Sequence, residues 1–385
     1  MQVKQIYTLI NEVTKEVIGK ENVILEDLSN VVDAGNEIFN NTSYDAYVKS
    51  LVNHIGKVIF VNRAYVGGAP SVLMDAWEFG SVLEKISCEL PQATENESWE
   101  LVDGTSYDPN IFYKPTVSAK FYNSKVTFEI PVSFTELQVK QSFSSAEQLN
   151  GFLSMLYNNV DKAMQVKMDA LVMRTINNMI GETIYNEYQG AGLDTKTGVR
   201  AVNLLKMYND KYIDAHLTKD NAITDPNFIK FAVYVLGLYT KRISKISTLF
   251  NVGGKERFTP TELLHIVLLS DFKEAADVYL QSDTFHEEFT ALPNAESVAY
   301  WQGSGKTYSF DDVSKINVKT SGNKTIEASG ILGVMFDRDA LGVSNLDRRV
   351  TTNYNPKAEF YTNFYKFDAG YFNDLNENFV VFFIA

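Results

Sequence analysis

One cysteine, Cys88, occurs in 385 residues, so the chain can form no internal disulfide and no cysteine-built zinc site. Histidine is almost as scarce. His54, His216, His265 and His286 are the only four, and none stands beside a nucleophile in a recognisable frame. Basic residues are outnumbered, 35 Lys and Arg against 48 Asp and Glu, for a formal net charge of −13. That argues against a protein whose main task is gripping nucleic acid, which needs clustered cations on phosphates. No uninterrupted apolar run approaches the ~20 residues that span a bilayer. The opening "MQVKQIYTLINEVTKEVIG" lacks the basic segment and apolar core of a secretory signal. A soluble protein made in a reducing cytoplasm is expected.

What is present points to a sheet-rich globular chain. Hydrophobic residues make up 45% and charged residues 22%, the ordinary range for a protein with a sizeable core. Tryptophan is rare at 3, but there are 25 Phe and 21 Tyr. Both rings suit pleated, half-buried surfaces, so a large β component is expected.

Periodicity organises the chain. Ile6, Ile10, Val13 and Val17 recur at helical spacing, with Gly19 as a stop, and short capped helices are expected to continue to about Ile59, one of them capped by Ser43. "SVLEKISCEL" alternates like a strand, which makes Cys88 a small buried side chain by expectation. The polar stretch "PQATENESWELVDGTSYDPN" follows, and then "PTVSAKFYNSKVTFEIPVSF", two strand-like runs broken by a turn at Asn123 and Ser124. Together they read as a long, polar-tipped β excursion, the kind of segment that exists to reach something.

A single helix of about 35 residues, on the order of 50 Å long, is expected from Ser145 to Ile180. Leu149, Phe152, Leu153, Leu156, Val160, Met164, Leu171, Val172, Ile176 and Met179 form its apolar stripe, Ser145 with Gln148 forms a capping box, and Gly181 is its stop. Further on, Asp225-Pro226 starts the helix "NFIKFAVYVLGLYTKRI". "TPTELLHIVLLSDF" reads as a helical turn running into a buried strand, Ile266–Leu269, and a short helix follows in "SDFKEAADVYL". The last stretch returns to strands: "SGILGVMFD", "AEFYTNFYKFDAGYF" and "NFVVFFIA". The end of the sequence is therefore built into a sheet.

The stretch most suggestive of chemistry is "YWQGSGKTYS", with Gly303-Ser304-Gly305-Lys306-Thr307 at its centre. A Walker A loop is G-x-x-x-x-G-K-[ST] between a buried strand and the first turn of a helix. Tyr300 stands where its first glycine belongs, and a ring-bearing residue blocks the backbone approach that glycine gives. Ser309 and Asp312 cap a short helix that begins only after Lys306, whereas the motif lysine belongs inside the helix start. "HIVLLSD", ending at Asp271, precedes the loop where a Walker B strand would follow it. A nucleotide-binding enzyme using Lys306 is thus the alternative, and a polar surface turn the preferred reading. "FHEEF" around His286 lacks the second histidine of H-E-x-x-H, because Thr290 occupies its place. "DRDALG" from Asp337 starts like a calcium loop, but Leu341 holds a ligand position and Arg348 replaces the closing glutamate. An element terminus is expected there. No catalytic, cofactor-binding or metal-binding residue is assigned, and the protein is not expected to be an enzyme.

The order of elements carries more. "KPTVSAKFYNSKVTFEIPVSFTELQVKQSFSSAEQLNGFLSMLYNNVDKAMQVKMDALV" has an extended loop returning into a strand and then a very long helix. "ILGVMFDRDALGV" is followed by the aromatic-rich "RRVTTNYNPKAEFYTNFYKFDAGYFNDLNENFVVFFIA". This order resembles the major capsid proteins of tailed bacteriophages with the HK97-like fold, and within them the podovirus type. The resemblance implies an α+β fold with four parts. Residues 1–75 would be the N-terminal arm and short helices, and 76–132 the extended β E-loop overlapping a neighbouring subunit. Residues 133–184 and 330–385 would form the peripheral domain with its spine helix, and 185–329 the axial domain.

By the same resemblance the chain self-assembles as hexamers and pentamers into an icosahedral shell around a double-stranded DNA genome. A portal protein and a separate scaffolding protein are the implied partners, with no cofactor and no membrane; the site is a virion assembled in the host bacterial cytoplasm. Some members of that family join lysine to asparagine between subunits; Lys85, Lys114 and Lys120 lie in or beside the expected loop, and the match does not single one out. An encapsulin-type nanocompartment, which uses the same fold to hold proteins, is the alternative within the fold. The acidic balance suits a container, since a negative inner wall would let packaged DNA slide.

Overall fold

The helix expected from Ile6, Ile10, Val13 and Val17 is α1, Val3–Ile18, and it ends at Gly19, whose φ of 75° a side chain would strain. The structure, a computed structural model, describes residues 3–19, 25, 29–30, 32–33, 50, 72–74, 83–91, 93, 95, 100–142, 144–281, 295–302 and 309–385. The further short helices expected up to Ile59, with the Ser43 cap, lie outside the described residues.

After α1 come β1 (Leu73–Met74), β2 (Leu83–Cys88), β3 (Val117–Tyr122), β4 (Lys125–Thr135), α2 (Glu136–Ser142) and α3 (Ala146–Tyr188). The middle of the chain adds β5 (Ala201–Asn203), α4 (Leu204–Lys211), α5 (Lys219–Ala222), α6 (Pro226–Ile243), a 3-10 turn (Thr261–Leu263), β6 (Leu264–Leu269), α7 (Ser270–Gln281) and β7 (Ala295–Val298). The last part holds α8 (Phe310–Val313), β8 (Ile316–Lys319), β9 (Thr325–Ala328), β10 (Ile331–Asp337), β11 (Leu341–Asn355), β12 (Phe360–Asn373) and β13 (Phe379–Phe383). Two units result. The first takes Met1–Ala76, Lys125–Met173 and Val343–Gly370; the second takes Trp77–Ser124, Arg174–Gly342 and Tyr371–Ala385.

The first unit is built on a four-stranded sheet in the order β1-β11-β12-β4. β4 and β12 pair antiparallel from Thr135↔Phe360 to Lys125↔Gly370, and their alternation sorts the two faces. One face is aromatic, with Phe128 on Phe367 at 5.0 Å and Phe134 on Tyr361 at 6.2 Å. The other is polar across the same strands: Lys366 with Glu129 at 3.2 Å, Thr127 with Asp368 at 2.6 Å, Ser133 with Thr362 at 2.8 Å. Such cross-strand pairs are the unit of sheet stability. Phe152 of α3 meets Phe134 edge-on at 5.9 Å.

α3 is longer than its sequence stripe suggests, 43 residues, or about 65 Å at 1.5 Å per residue. Residues 146–173 fall in the first unit and 174–188 in the second. Half of the expected capping box forms: Ser145 Oγ accepts the Gln148 N–H at 3.2 Å, while the Gln148 side chain bonds Ser144 instead. Gly181 is not the stop. The helix passes it and continues through buried Thr183, Ile184 and Tyr188, ending where Gln189 and Gly190 take φ of 52° and 87°. At 181 a Cβ would overlap Val318 Cγ2, so this glycine serves as the close-contact point for β8.

The second unit holds a five-stranded sheet, β5-β13-β10-β6-β7. β10 lies antiparallel to both β13 and β6, and the outer pairs β13–β5 and β6–β7 are parallel. β10 and β13 are buried at every residue, the signature of strands covered on both faces. α6 presents Phe228, Phe231, Ala232, Val235, Leu236, Tyr239 and Ile243 to the core shared with β6, β10, β13 and α7. Its start follows the expected signal, with Asp225 Oδ1 accepting from Asn227 and Phe228 N–H and Pro226 in the first turn.

Candidate functional site

β2 and β3 form an isolated antiparallel ribbon, Leu83↔Tyr122 to Cys88↔Val117. A two-stranded ribbon is marginal alone, and this one is tied down by charge. The register sets Lys85 opposite Lys120, and both reach one carboxylate. Lys85 Nζ lies 3.1 Å from Asp374 Oδ2 and Lys120 Nζ 3.0 Å from Oδ1. Lys85 also donates to the Asp339 carbonyl at 2.8 Å and to Glu377 Oε1 at 3.4 Å, while Arg257 Nε sits 3.2 Å from Glu377 Oε2.

The Asp374 side chain is only 4% exposed. Burial alone would push its carboxyl up, but bonds from Lys120, Lys85 and the Asn376 N–H outweigh burial and hold it below the usual aspartate range. Glu377 goes the other way: burial lifts it above the usual glutamate range despite Lys85 and Arg257. Burial and the Asp374 charge also push the neighbouring Tyr122 hydroxyl up.

This latch corrects one expectation. Lys85 and Ser87 occupy the half-buried face of β2, and the period of two puts Cys88 on the other face, where it is exposed. The latch was not legible in the sequence, because Asp374, Glu377 and Arg257 stand far from Lys85 and carry no motif.

Beyond the ribbon, residues 100–116 are exposed throughout. A few local bonds shape them: Thr105 N–H to the Val102 carbonyl at 3.2 Å, Val102 N–H to Tyr107 Oη at 3.1 Å, and Asn110 N–H to Asp108 at 2.9 Å. The tip is not only polar. Phe112 is 84% and Tyr113 82% exposed, alongside Leu101, Val102 and Ile111. Large apolar side chains grouped this way mark an interaction surface, and residues of this kind supply most interface energy.

At the end of the same ribbon where the loop leaves it is a cavity of about 500 Å³. Ser87–Leu90 and Ser118 line one side; Ile246, Thr248 and Gly254–Phe258 line the other. Lys255 bonds Glu89 across it at 2.6 Å.

Among the described residues, the others singled out by sequence do not converge. Gly303–Thr307, including Lys306, lie outside the described residues, as do His54, His286 and Thr290. Beside that stretch, Trp301 is fully buried, its Nε1 donating to the Ile331 carbonyl at 2.9 Å and its own carbonyl accepting from Asn177 at 2.6 Å. His216 is exposed. His265 stacks on Phe336 at 5.5 Å, and burial pushes its pKa down. Asp337 ends β10 in a turn, as expected of an element terminus, with its Oδ1 accepting the Asp339 N–H at 2.9 Å. Of the three lysines near the loop, Lys85 and Lys120 are held in the latch, whereas Lys114 lies in the exposed tip. Among the described residues no helix is long and apolar enough to cross a membrane.

No curated protein matches the chain in sequence. In fold it is similar to a chain in the capsid structure of Staphylococcus phage Andhra, with a TM-score of 0.50 at 11% identity, covering 84% of this chain and 86% of that one. It is also similar to a chain in the structure of the head fiber and inner core protein gp22 of native bacteriophage P68, with a TM-score of 0.51 at 11% identity, covering 85% and 86%. At that identity the likeness speaks for the fold, the α+β HK97-like fold of phage capsids. The sequence profile of the Phi29-like phage major capsid protein matches residues 9–383. With nearly the whole chain inside that match, this protein belongs to the Phi29-like phage major capsid protein family and is a structural protein of the capsid shell.

Proposed function

We propose that this chain assembles through hexamers and pentamers into an icosahedral shell that encloses a double-stranded DNA genome, without a catalytic step of its own. The observation that carries the reading, beyond family membership, is the loop tip. Phe112 and Tyr113 stand in solvent on a segment with almost no intrachain support, and such a surface needs a neighbour. In this reading residues 1–75 are the arm and 76–132 the extended loop, with the ribbon and tip as its reaching part. Residues 133–184 and 330–385 belong to the peripheral domain and 185–329 to the axial domain, whose five-stranded sheet also takes up β10 and β13. The net charge of −13 suits a wall that holds packaged DNA weakly. A portal protein and a separate scaffolding protein are the further partners, and the host cytoplasm is the place of assembly.

The test is expression in bacteria with and without a co-expressed scaffold, followed by electron microscopy and sedimentation. Hollow shells or five- and six-fold capsomers are expected. A chain that stays a stable monomer under every condition would overturn the reading.

A further inference from the structure

The cavity at the loop end of the ribbon and the loop tip complement each other. Residues 95–116 carry five acidic side chains, Glu95, Glu97, Glu100, Asp103 and Asp108, against one basic, Lys114. Residues 241–258 reverse that ratio with Lys241, Arg242, Lys245, Lys255 and Arg257 against Glu256, in a chain whose overall charge is strongly negative. Lys255 and Arg257 are engaged by Glu89 and Glu377. Lys241, Arg242 and Lys245 are exposed and form no ion pair among the described residues. Apolar groups match as well: Ile246, Leu249 and Phe258 are exposed on the 241–258 segment, and Ile111, Phe112 and Tyr113 on the tip.

We infer that the cavity between Ser87–Leu90 and Ile246–Phe258 is the seat for residues 100–116 of a second copy of this chain. The tip rings fill the space beside Ile246 and Phe258, and Glu100 and Asp103 meet the cations of 241–258. Opposite potentials steer the encounter and fix the register, while the rings supply the contact energy. Because tip and seat are different surfaces of one chain, the contact is heterologous. Each copy offers a tip to the next and a seat to the previous one, an arrangement that closes into rings when the rotation permits. This inference rests on the shell-forming reading and names the surface that receives the loop.

The sole cysteine makes a direct test. Cys88 is exposed and lines the cavity, so a cysteine placed on the tip should find it in a neighbouring copy. Particles of the Tyr113→Cys variant, made with the full chain and oxidised mildly, should give a ladder of disulfide-linked multimers on non-reducing gels. The ladder should vanish in Tyr113→Cys with Cys88→Ser, and it should not form from Ile213→Cys, an exposed position away from the tip. A pair of charge reversals gives a second readout. Glu100→Lys with Asp103→Lys should reduce particle yield, as should Lys241→Glu with Lys245→Glu, and combining the two sets should restore it. Particles without a Cys88-dependent ladder would overturn the seat while leaving the shell reading intact. Absence of any particles from the unmodified chain would overturn both.

Discussion

Asp374→Asn removes the charge that holds the β2–β3 ribbon while keeping the shape of the side chain. The asparagine carbonyl can still accept the Asn376 N–H, which now lies 3.1 Å from Asp374 Oδ1. What disappears is the Lys85 bond, because an NH2 group replaces its acceptor Oδ2, and the charge that strengthens the Lys120 bond to Oδ1. Lys85, 22% exposed, makes a half-buried charge-assisted bond worth about 1.5–3 kcal/mol. Lys120 is 42% exposed and counts as a surface pair worth about 0–1 kcal/mol. Because each lysine can regain water, the attachment should weaken by about 2–3 kcal/mol in all. Opening of the ribbon should then become roughly 30- to 150-fold more frequent, at 1.4 kcal/mol per decade.

Hydrogen exchange of the unassembled subunit reads this directly, since exchange reports local opening. Amides of Leu83–Cys88 and Val117–Tyr122 should lose protection, while those of β10 and β13 keep theirs. Ribbon rates unchanged, or rates raised equally in the five-stranded sheet, would refute the latch. The acid response follows from the same carboxyl. Its folded pKa lies below the ordinary aspartate value, so its stabilisation is complete above the unfolded pKa and is lost as pH falls through the lower folded one. The unmodified ribbon should loosen only at that acid end, and Asp374→Asn should lack the transition. Glu377, raised by burial, contributes with the opposite sign, so a Glu377→Gln background isolates Asp374.

Phe112→Ala combined with Tyr113→Ala should leave thermal unfolding of the subunit unchanged, since both rings are in solvent. It should raise the concentration needed for assembly by at least about 100-fold if a neighbour buries both, at about 1.5–3 kcal/mol per ring; an unchanged threshold would mean the rings face solvent in the shell too. Gly330→Ala should destabilise the second unit by about 4 kcal/mol or more, because φ there is 83° and a Cβ would overlap the Ile384 carbonyl oxygen. The readout is the melting temperature, and a variant melting with the parent would contradict the packing described here.

The elements whose signals are local were legible in the sequence. The apolar spacing of α1 and its Gly19 stop, the Asp225-Pro226 start of α6 and the unbroken apolar run of β13 all depend on neighbours a few residues away. Where tertiary contact competes with a local signal, the sequence misleads. Gly181 reads as a helix stop, but packing against Val318 uses the missing Cβ and the helix runs on to Tyr188. Asn123 and Ser124 do separate two strands, yet β3 pairs with β2 and β4 with β12, because pairing is decided by partners far along the chain. Cys88 reads as buried from alternation alone, and which face of an alternating strand is covered depends on what lies against it.

The sequence by itself determined α1, α6, α7, α8 and most of α3, the strands β2–β4, β6, β10, β12 and β13, the absence of a motif for metal or phosphate chemistry, and an order of elements specific enough to point to capsid proteins; α2, α4, α5 and the long strand β11 were not read from it. Those properties follow from spacing, composition and turn chemistry, which act over short distances. Only the tertiary structure decided that Lys85 and Lys120 converge on Asp374, that Arg257 joins them through Glu377, and that a cavity opens between the loop end of the ribbon and Ile246 and Phe258. Such groupings bring together residues up to 292 positions apart. Charge and burial act through space, and no periodicity along the chain records which distant side chains will meet.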